Sequence, residues 1–202
     1  MAEAFDLDEA PILLPRYNIA PSQEVVAVVA GPVGRRLDLL RWGFVSDRAA
    51  SARPIINARA ESVGSRSLFA PAFAQRRCLL PADGFYEWQV VPGATRKLPH
   101  YIHRSGGGLM ALAAIWEPNP QGRGTCAILT TAPTDALRKV HDRMPVIIPR
   151  KSYATWLDPA QGRAALRPLL GPFVEEPLQA VAVGTTVNNA RSEGPDCVLP
   201  AP

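Results

Sequence analysis

The sequence predicts an α+β fold, in which a mostly antiparallel or mixed sheet curls into a β-barrel-like core with a few short peripheral helices. The apolar segments are short, rich in Val, Ile, Tyr, Phe or Trp, and bounded by Gly or Pro, as strands are. The 21 prolines are spread along the chain, which argues against long helices. No regular alternation of strand and helix and no GxGxxG or Walker motif occurs, which argues against nucleotide-cofactor folds.

The predicted elements follow from these short segments. The strand predictions are residues 24–30, 36–44, 76–80, 84–91, 100–104, 109–117, 125–131, 145–149 and 178–184. The helix predictions are 65–75, which Pro71 interrupts, 134–141, which starts at the favourable N-cap Thr134, 151–157 and 163–170. Because no repeat, low-complexity tract or long linker divides the chain, we expect residues 1–202 to form one domain.

Composition excludes several classes of protein. No run of about 18 apolar residues occurs, so no membrane span is expected. The N-terminus, MAEAFDLDEAPILL, is acidic where a secretory signal is basic, so we expect a cytoplasmic protein, and a monomer. Cys78, Cys126 and Cys197 are odd in number and lack metal-ligand spacing. They are expected to be reduced and buried, with no disulfide, metal or cofactor.

Charge is distributed unevenly along the chain. Residues 1–34 carry one arginine against five acidic residues, whereas residues 35–104 carry twelve basic residues against five acidic ones. A basic central third is compatible with a polyanionic partner such as nucleic acid. An arginine-rich composition from a GC-rich genome explains the same numbers, so charge permits nucleic acid without establishing it.

The string NARAES places polar residues with period two. In an extended segment Asn57, Arg59 and Glu61 project to one face, while Ala58 and Ala60 project to the other. This face is either a solvated strand surface or the polar wall of a pocket, with Arg59 placed for a phosphate.

The string PADGFYEW places a carboxyl group among aromatic residues. Asp83 and Gly84 favour a turn, and Phe85, Tyr86 and Trp88 favour burial. In such apolar surroundings the pKa of a glutamate rises, and Glu87 could then hold a proton near neutral pH. A strand of period two equally allows Glu87 to face water.

The string HDRMPVI follows a predicted helix and begins a predicted strand. His141, Asp142 and Arg143 therefore lie at a junction, where catalytic residues often gather. Imidazole has a pKa suited to proton transfer at neutral pH, although a histidine at this place is also common as a cation at a helix C-terminus. His100 and His103 are weaker candidates, since PHYIHR is typical of an ordinary strand.

Eight strings, in this order, closely resemble the SOS response-associated peptidase family, the abasic-site processing proteins. They span Arg16 to Pro200 and are RYNIAP, RWGF, NARAE, RCLLPADGFYEW, TTAP, HDRMPVI, WLDP and VNNARSEGP. The resemblance implies a β-barrel-like α+β fold with a positively charged groove for single-stranded DNA. It also implies a lyase-like DNA-damage enzyme of the SOS response, whose N-terminal cysteine closes a thiazolidine ring with the aldehyde of an abasic site and so shields the lesion.

The resemblance assigns roles to residues of this chain. Asn57 matches the asparagine that positions the N-terminal residue, Glu87 the general acid/base beside the amine and sugar, and His141 the imidazole that moves protons on the opening ribose. Two arginines, Arg59 and Arg143, match those that grip phosphates flanking the lesion. Trp42 matches an aromatic that stacks on or wedges a base, a contact worth about 1–3 kcal/mol.

Two departures from the family pattern bear on function. The family's tryptophan motif usually continues into a second tryptophan, whereas RWGFVSDRA has none. Family members begin Met-Cys-Gly-Arg, whereas residue 2 is alanine here and none of the first 15 residues is cysteine. We therefore expect the gene to continue upstream, with Met1 a misassigned or truncated start. The alternatives are a DNA-binding relative without the nucleophile, and a peptidase or autopeptidase (a hydrolase) acting through the same site.

Overall fold

The computed structural model describes residues 1–9, 11–45, 53–119 and 122–201. The strands in these ranges are β1 (Glu24–Ala30), β2 (Arg35–Trp42), β3 (Asn57–Arg59), β4 (Arg77–Ala82), β5 (Gly84–Gln89), β6 (Leu98–Arg104), β7 (Met110–Glu117), β8 (Thr125–Thr131), β9 (Met144–Pro145) and β10 (Leu178–Ala182). The α-helices are α1 (Ala2–Phe5), α2 (Ala70–Gln75), α3 (Tyr153–Leu157) and α4 (Arg163–Leu166). None of these helices has the length and apolar character needed to cross a membrane.

The larger sheet closes a ring of hydrogen-bonded strands. Its order is β2-β1-β4-β7-β8-β3, and β2 also pairs with β8, so that β2, β1, β4, β7 and β8 form a circuit. The pairs β1–β2, β1–β4, β4–β7 and β7–β8 are antiparallel, whereas β2–β8 and β3–β8 are parallel. This ring confirms the predicted curled, mixed sheet with few short helices.

A second sheet of three strands, β10-β6-β5, is antiparallel throughout. The chain passes from the first sheet to the second at Asp83, between β4 and β5. Gly84 opens β5 because a side chain would not fit: a Cβ atom there would lie 2.2 Å from the ring of Tyr101. The Asp83-Gly84 pair thus marks a change of sheet.

Strands β4, β7 and β8 of the larger sheet are buried on both faces, which explains why they are continuous apolar runs. Alternate residues such as Val28 and Leu79 pack with Phe5, Trp156 and the short helices. The residues between them pack toward the second sheet, in a cluster that includes Val29, Cys78, Ile102, Leu112 and Leu178. A side chain of this size contributes about 1.5–3 kcal/mol when fully buried. The strand carrying Glu87 is therefore fixed against a well-packed layer.

The structure corrects three predictions of local structure. Residues 134–141 form successive turns in place of a helix, and Thr134 does not cap them, because its buried Oγ1 has no partner in the described part of the chain. Pro71 lies in the first turn of α2, where the absent N–H costs nothing, so it starts the helix and does not interrupt it. In the segment 145–149, Pro145 belongs to the two-residue strand β9, and Ile147 forms an isolated bridge with Leu112.

Arg77 is a cation inside the core, with only 2% of its surface exposed. Nε donates to the carbonyl oxygen of Trp156 at 2.6 Å, and Nη1 to those of Phe73 and Ala74 at 2.6 and 2.7 Å. Nη2 donates to the carbonyl oxygen of Asp158. The guanidinium thus satisfies main-chain acceptors at the C-terminal ends of both α2 and α3.

Candidate active site

Three of the predicted site residues lie on β2 and β3, which both pair in parallel with one edge of β8, while β7 pairs with the opposite edge. Trp42 pairs with Cys126, and Asn57 and Arg59 pair with Ile128 and Thr130. The indole Nε1 of Trp42 donates to the carbonyl oxygen of Ile56 at 2.8 Å, and its ring packs partly against the core. The half-buried tryptophan thus lies beside Ile56, the residue that precedes Asn57. The end of its motif, residues 46–49, falls outside the described residues.

The period-two pattern of NARAES is confirmed through Glu61. Ala58 and Ala60 are buried, whereas Asn57, Arg59 and Glu61 are exposed. Strand β3 itself ends at Arg59, and the chain then turns, with the amide of Val63 donating to the carbonyl oxygen of Arg59. An amide, a guanidinium and a carboxylate therefore lie on one exposed surface at the end of β3.

Arg143 joins this surface to the HDRMPVI segment. Its Nη1 and Nη2 donate to Oε1 and Oε2 of Glu61 at 2.7 and 2.8 Å, and Nη2 also donates to the carbonyl oxygen of Thr130. Hydrogen bonding to Arg143 lowers the pKa of Glu61, so this carboxylate stays charged. Nη1 carries a second N–H, so a phosphate could still share the guanidinium.

Glu87 faces the same segment from the second sheet. Its Oε2 lies 3.7 Å from Nε2 of His141, an ion-pair distance that a small movement would convert into a hydrogen bond. Only 23% of the Glu87 side chain is exposed, and this burial raises the pKa of its carboxyl group. The charge of His141 opposes the rise, and that of Asp142 adds to it. The prediction of an elevated pKa is confirmed, and Glu87 does not simply face water.

The main chain of Arg143 holds the ring of His141 through Nδ1. The N–H of Arg143 lies 3.1 Å from Nδ1 and can donate to it when that nitrogen carries no proton. The carbonyl oxygen of Arg143 and Oδ1 of Asp142 each lie 3.2 Å from the same nitrogen and can accept its proton when it carries one. Nδ1 is therefore held in either tautomer, and Nε2 faces Glu87.

The surrounding strands hold this pair in place. Gln89, two residues beyond Glu87, donates to the carbonyl oxygen of Lys139 at 3.0 Å and so attaches the turn segment to β5. His100 is the cross-strand neighbour of Glu87 but is buried, with its Nδ1 3.2 Å from the carbonyl oxygen of Leu98. His103 stacks on Tyr101. His100 and His103, the two weaker candidates, therefore make contacts typical of structural residues in the second sheet.

The structure thus connects Glu87, His141 and Arg143 in one chain of contacts, and extends it to Glu61, which lies on the same exposed surface as Asn57 and Arg59. The period-two pattern of NARAES predicts Glu61 on that face, but no role for Glu61 follows from the pattern. Its signal was the same period-two alternation that selected its neighbours, together with an arginine in the distant HDRMPVI string. The pairing of two residues 82 positions apart was not visible in the sequence.

The three cysteines are buried, as predicted, and unpaired. Burial raises the pKa of Cys78 well above its usual value and that of Cys126 to about 12. Burial also raises the pKa of Cys197, whose Sγ lies 3.9 Å from the carbonyl oxygen of Ser192. A thiol that resists ionisation is a poor nucleophile, which disfavours a peptidase mechanism through an internal cysteine.

Comparisons with known proteins agree with the resemblance in sequence. The family model described as SOS response associated peptidase (SRAP) matches residues 1–190. The chain is 34% identical to "Abasic site processing protein YoqW" of Bacillus subtilis, over 91% of this chain and 85% of that protein. It is also 34% identical to "Abasic site processing protein YoaM" of the same organism, over 88% and 82%.

Among solved structures, a phage-related protein of Bordetella bronchiseptica superimposes with a TM-score of 0.73 at 27% identity, covering 90% of this chain and 88% of that one. The fold, the ordered motifs and the family match are therefore consistent with one another. The chain belongs to the SOS response associated peptidase family.

Proposed function

We propose that this chain recognises abasic sites in single-stranded DNA and that Glu87 and His141 move the protons of the reaction at the lesion. The observation that carries the proposal is the partly buried carboxyl group of Glu87, with its raised pKa, 3.7 Å from the imidazole of His141. Membership of the family and the printed names of YoqW and YoaM support abasic DNA as the substrate.

Reaction of an amine with the ring-opened sugar aldehyde requires proton transfer at each step. Loss of water from the first adduct needs an acid, and a carboxyl group with a raised pKa retains a proton closer to neutral pH than an ordinary glutamate. His141 presents Nε2 toward that carboxyl group, so the two side chains can exchange a proton between steps. Positioned acids and bases of this kind contribute about 10²–10⁴-fold to a rate.

The exposed surface at the end of β3 is the proposed phosphate contact. Arg59 is exposed there, and Arg143 keeps an N–H on Nη1 beyond the one given to Glu61. Asn57 offers an amide beside them, and the partly exposed ring of Trp42 is proposed to stack on a base. Single-stranded DNA fits this arrangement because a splayed nucleotide exposes both its sugar and its base.

The covalent step is proposed for a form that carries an N-terminal cysteine. Its amine would form an imine with the aldehyde, and its thiol would then add to the imine carbon to close a thiazolidine. Residue 2 of this sequence is alanine, and the three internal cysteines are buried. We therefore expect the 202-residue chain to bind abasic single-stranded DNA without forming a crosslink that survives denaturation.

Two gels test the proposal. In a native gel the chain should bind an abasic single strand more tightly than an undamaged single strand or a duplex of the same sequence, and binding should weaken steeply with salt. In a denaturing gel the chain should leave no shifted band, whereas a variant with Met-Cys-Gly-Arg placed ahead of Ala2 should. Equal or tighter binding to the intact duplex contradicts the proposed substrate. A heat-stable band from the unmodified chain contradicts the proposed chemistry, because an internal cysteine would then be reactive.

A further inference from the structure

We propose that Glu61 is a positioning residue for His141 and acts through Arg143. Its side chain need not touch the DNA. Its carboxylate fixes the guanidinium of Arg143, and the main chain of Arg143 in turn holds the imidazole of His141 at Nδ1, with Nε2 toward Glu87. The structural part of this proposal stands on contacts within the chain; its value for catalysis rests on the proposed function.

The first link is the pair between Glu61 and Arg143. Both guanidinium nitrogens Nη1 and Nη2 donate to the carboxylate, at 2.7 and 2.8 Å, which is the bidentate geometry that restricts rotation of both groups. Nη2 also donates to the carbonyl oxygen of Thr130, at the end of β8. The amide of Ala60 donates to the same oxygen at 2.9 Å, so the ends of β3 and β8 and the HDRMPVI segment meet at Thr130.

The second link runs along the main chain. The side chain of Arg143 is half-buried, and its shielded Nε has no hydrogen-bond partner in the described part of the chain, so the contacts to Glu61 and Thr130 are what hold the guanidinium. The backbone of Arg143 lies directly before β9, whose first residue, Met144, is fully buried. With its side chain tied to Glu61 and its C-terminal neighbour in the core, the amide of Arg143 is held in place.

The third link is the pair of main-chain contacts from Arg143 to His141. The N–H and the carbonyl oxygen of Arg143 lie 3.1 and 3.2 Å from Nδ1, so the backbone holds this nitrogen whether or not it carries a proton. Glu87 faces Nε2, and Asp142 faces Nδ1 at 3.2 Å. If the backbone of Arg143 moved, the ring would keep only the contact of Nδ1 with Asp142, and the populations of its two tautomers would change.

The pair is more than a surface ion pair. An exposed pair usually contributes little to stability and can be lost without consequence. Here only 23% of the Arg143 side chain is exposed, although 55% of the Glu61 side chain is. Loss of the carboxylate would leave the guanidinium with the main-chain acceptor at Thr130 and without its bidentate partner. The positive charge of Arg59, which also acts on Glu61, would then repel the guanidinium of Arg143.

Nitrogen NMR of the histidine rings tests the proposal without DNA. The chain has three histidines, and a His141→Gln variant identifies the signals of His141. In Glu61→Ala the two ring-nitrogen ¹⁵N shifts of His141 should move away from their values in the unmodified protein, because the ring loses its fixed contacts at Nδ1 and the populations of its tautomers change. Glu61→Gln, which keeps one acceptor, should give a smaller change.

The matched control is Glu176→Gln. Glu176 forms a bidentate pair with Arg104 at 2.6 Å, so this variant also removes one carboxylate charge from an arginine, away from the HDRMPVI segment. The ring shifts of His141 should stay unchanged in this control. Unchanged His141 shifts in a folded Glu61→Ala protein would overturn the proposal. If Glu61→Ala does not fold, unchanged shifts in Glu61→Gln overturn it.

A second measurement separates this proposal from the proposed function. Reaction of abasic single-stranded DNA, in the form carrying the N-terminal cysteine, should be slowed by Glu61→Ala at saturating DNA and remain normal in Glu176→Gln. If the ring shifts change but the rate does not, the route from Glu61 to His141 exists and the role of His141 in the reaction is wrong. If neither changes, the positioning role itself is wrong.

Discussion

Glu87 faces His141 and Glu61 pairs with Arg143, yet the surroundings of these two carboxyl groups differ. Glu87 lies on a strand of the second sheet, is mostly buried, and faces an imidazole across 3.7 Å. Glu61 lies on a turn after β3, is more than half exposed, and is held by two hydrogen bonds from a guanidinium. The pKa of Glu87 is raised, mainly by burial, whereas that of Glu61 is lowered, mainly by Arg143.

The difference suits two carboxyl groups near one segment to separate tasks. A carboxyl group with a raised pKa suits proton exchange, because it holds its proton more strongly than an ordinary glutamate. One with a lowered pKa serves as a permanent anion that orders its partner. The contrast can be tested by exchanging each carboxylate for an amide of the same shape.

The largest expected effect is on the rate of crosslinking. In the form carrying the N-terminal cysteine, Glu87→Gln should slow formation of the covalent band by about 10²–10⁴-fold, since an amide cannot exchange the proton. Glu61→Gln should slow it much less, because its effect is indirect. Time courses on denaturing gels at saturating DNA measure both rates. A similar loss in the two variants would remove the distinction between them.

A smaller effect is expected on stability when Arg143 is replaced by lysine. The ammonium group cannot make the bidentate pair with Glu61 and also reach the carbonyl oxygen of Thr130, so about 1–3 kcal/mol should be lost in urea unfolding. Arg138→Lys is the matched control, because Arg138 makes a highly exposed pair with Asp135. Equal stability of Arg143→Lys and the parent protein would show that the pair with Glu61 does not order the segment.

A several-fold loss of affinity for single-stranded DNA is expected for Arg59→Ala. This arginine is exposed, so its removal should leave the unfolding curve unchanged. Because one phosphate contact would be lost, the slope of log affinity against log salt should fall by about 0.7. An unchanged slope would place Arg59 outside the DNA contact. The comparison with Arg143→Lys then shows which of the two arginines acts mainly on DNA.

The smallest effects concern the pH dependence of stability, and the two carboxyl groups should act with opposite sign. Glu87 has a raised pKa in the folded protein, so its proton stabilises the fold and that contribution is lost as pH rises above the ordinary value of 4.5. Glu61 has a lowered pKa, so its contribution is present above 4.5 and is lost as pH falls.

At neutral pH, Glu87→Gln should therefore melt slightly above the parent protein and Glu61→Gln slightly below it. For a chain of this size about 1 kcal/mol corresponds to about 2–4 °C, and the shift for the exposed Glu61 should be smaller. Both differences should shrink toward acid pH. Melting curves between neutral and acid pH measure them, and shifts of the same sign would contradict the opposite environments of the two groups.

Much of the fold was predictable because the central strands of the larger sheet are buried on both faces. Strands β1 and β8 coincide with the predicted segments 24–30 and 125–131, since continuous apolar runs bounded by turn residues have few other solutions. The predicted helix at 134–141 was wrong, and its leucine, valine and N-cap pattern does not reveal the contact of this turn segment with Gln89, which donates to the carbonyl oxygen of Lys139. Local propensity gives way there to tertiary contacts.

The candidate site was predictable as residue types and not as contacts. Strand period two placed Asn57 and Arg59 on one face, and the aromatic surroundings of Glu87 indicated its raised pKa. The partner of Arg143 and the contacts of His141 depend on atoms brought together by the ring of strands. A sequence pattern does not give the distance between two segments that lie so far apart along the chain.

The buried guanidinium of Arg77 has a consequence for cooperativity. It binds carbonyl oxygens at residues 73 and 74, on one side, and at 156 and 158, on the other. Neither helix end can fray without leaving a buried cation short of acceptors. The two helices, distant in sequence, should therefore open together, and their amide protons should exchange with solvent as one cooperative unit.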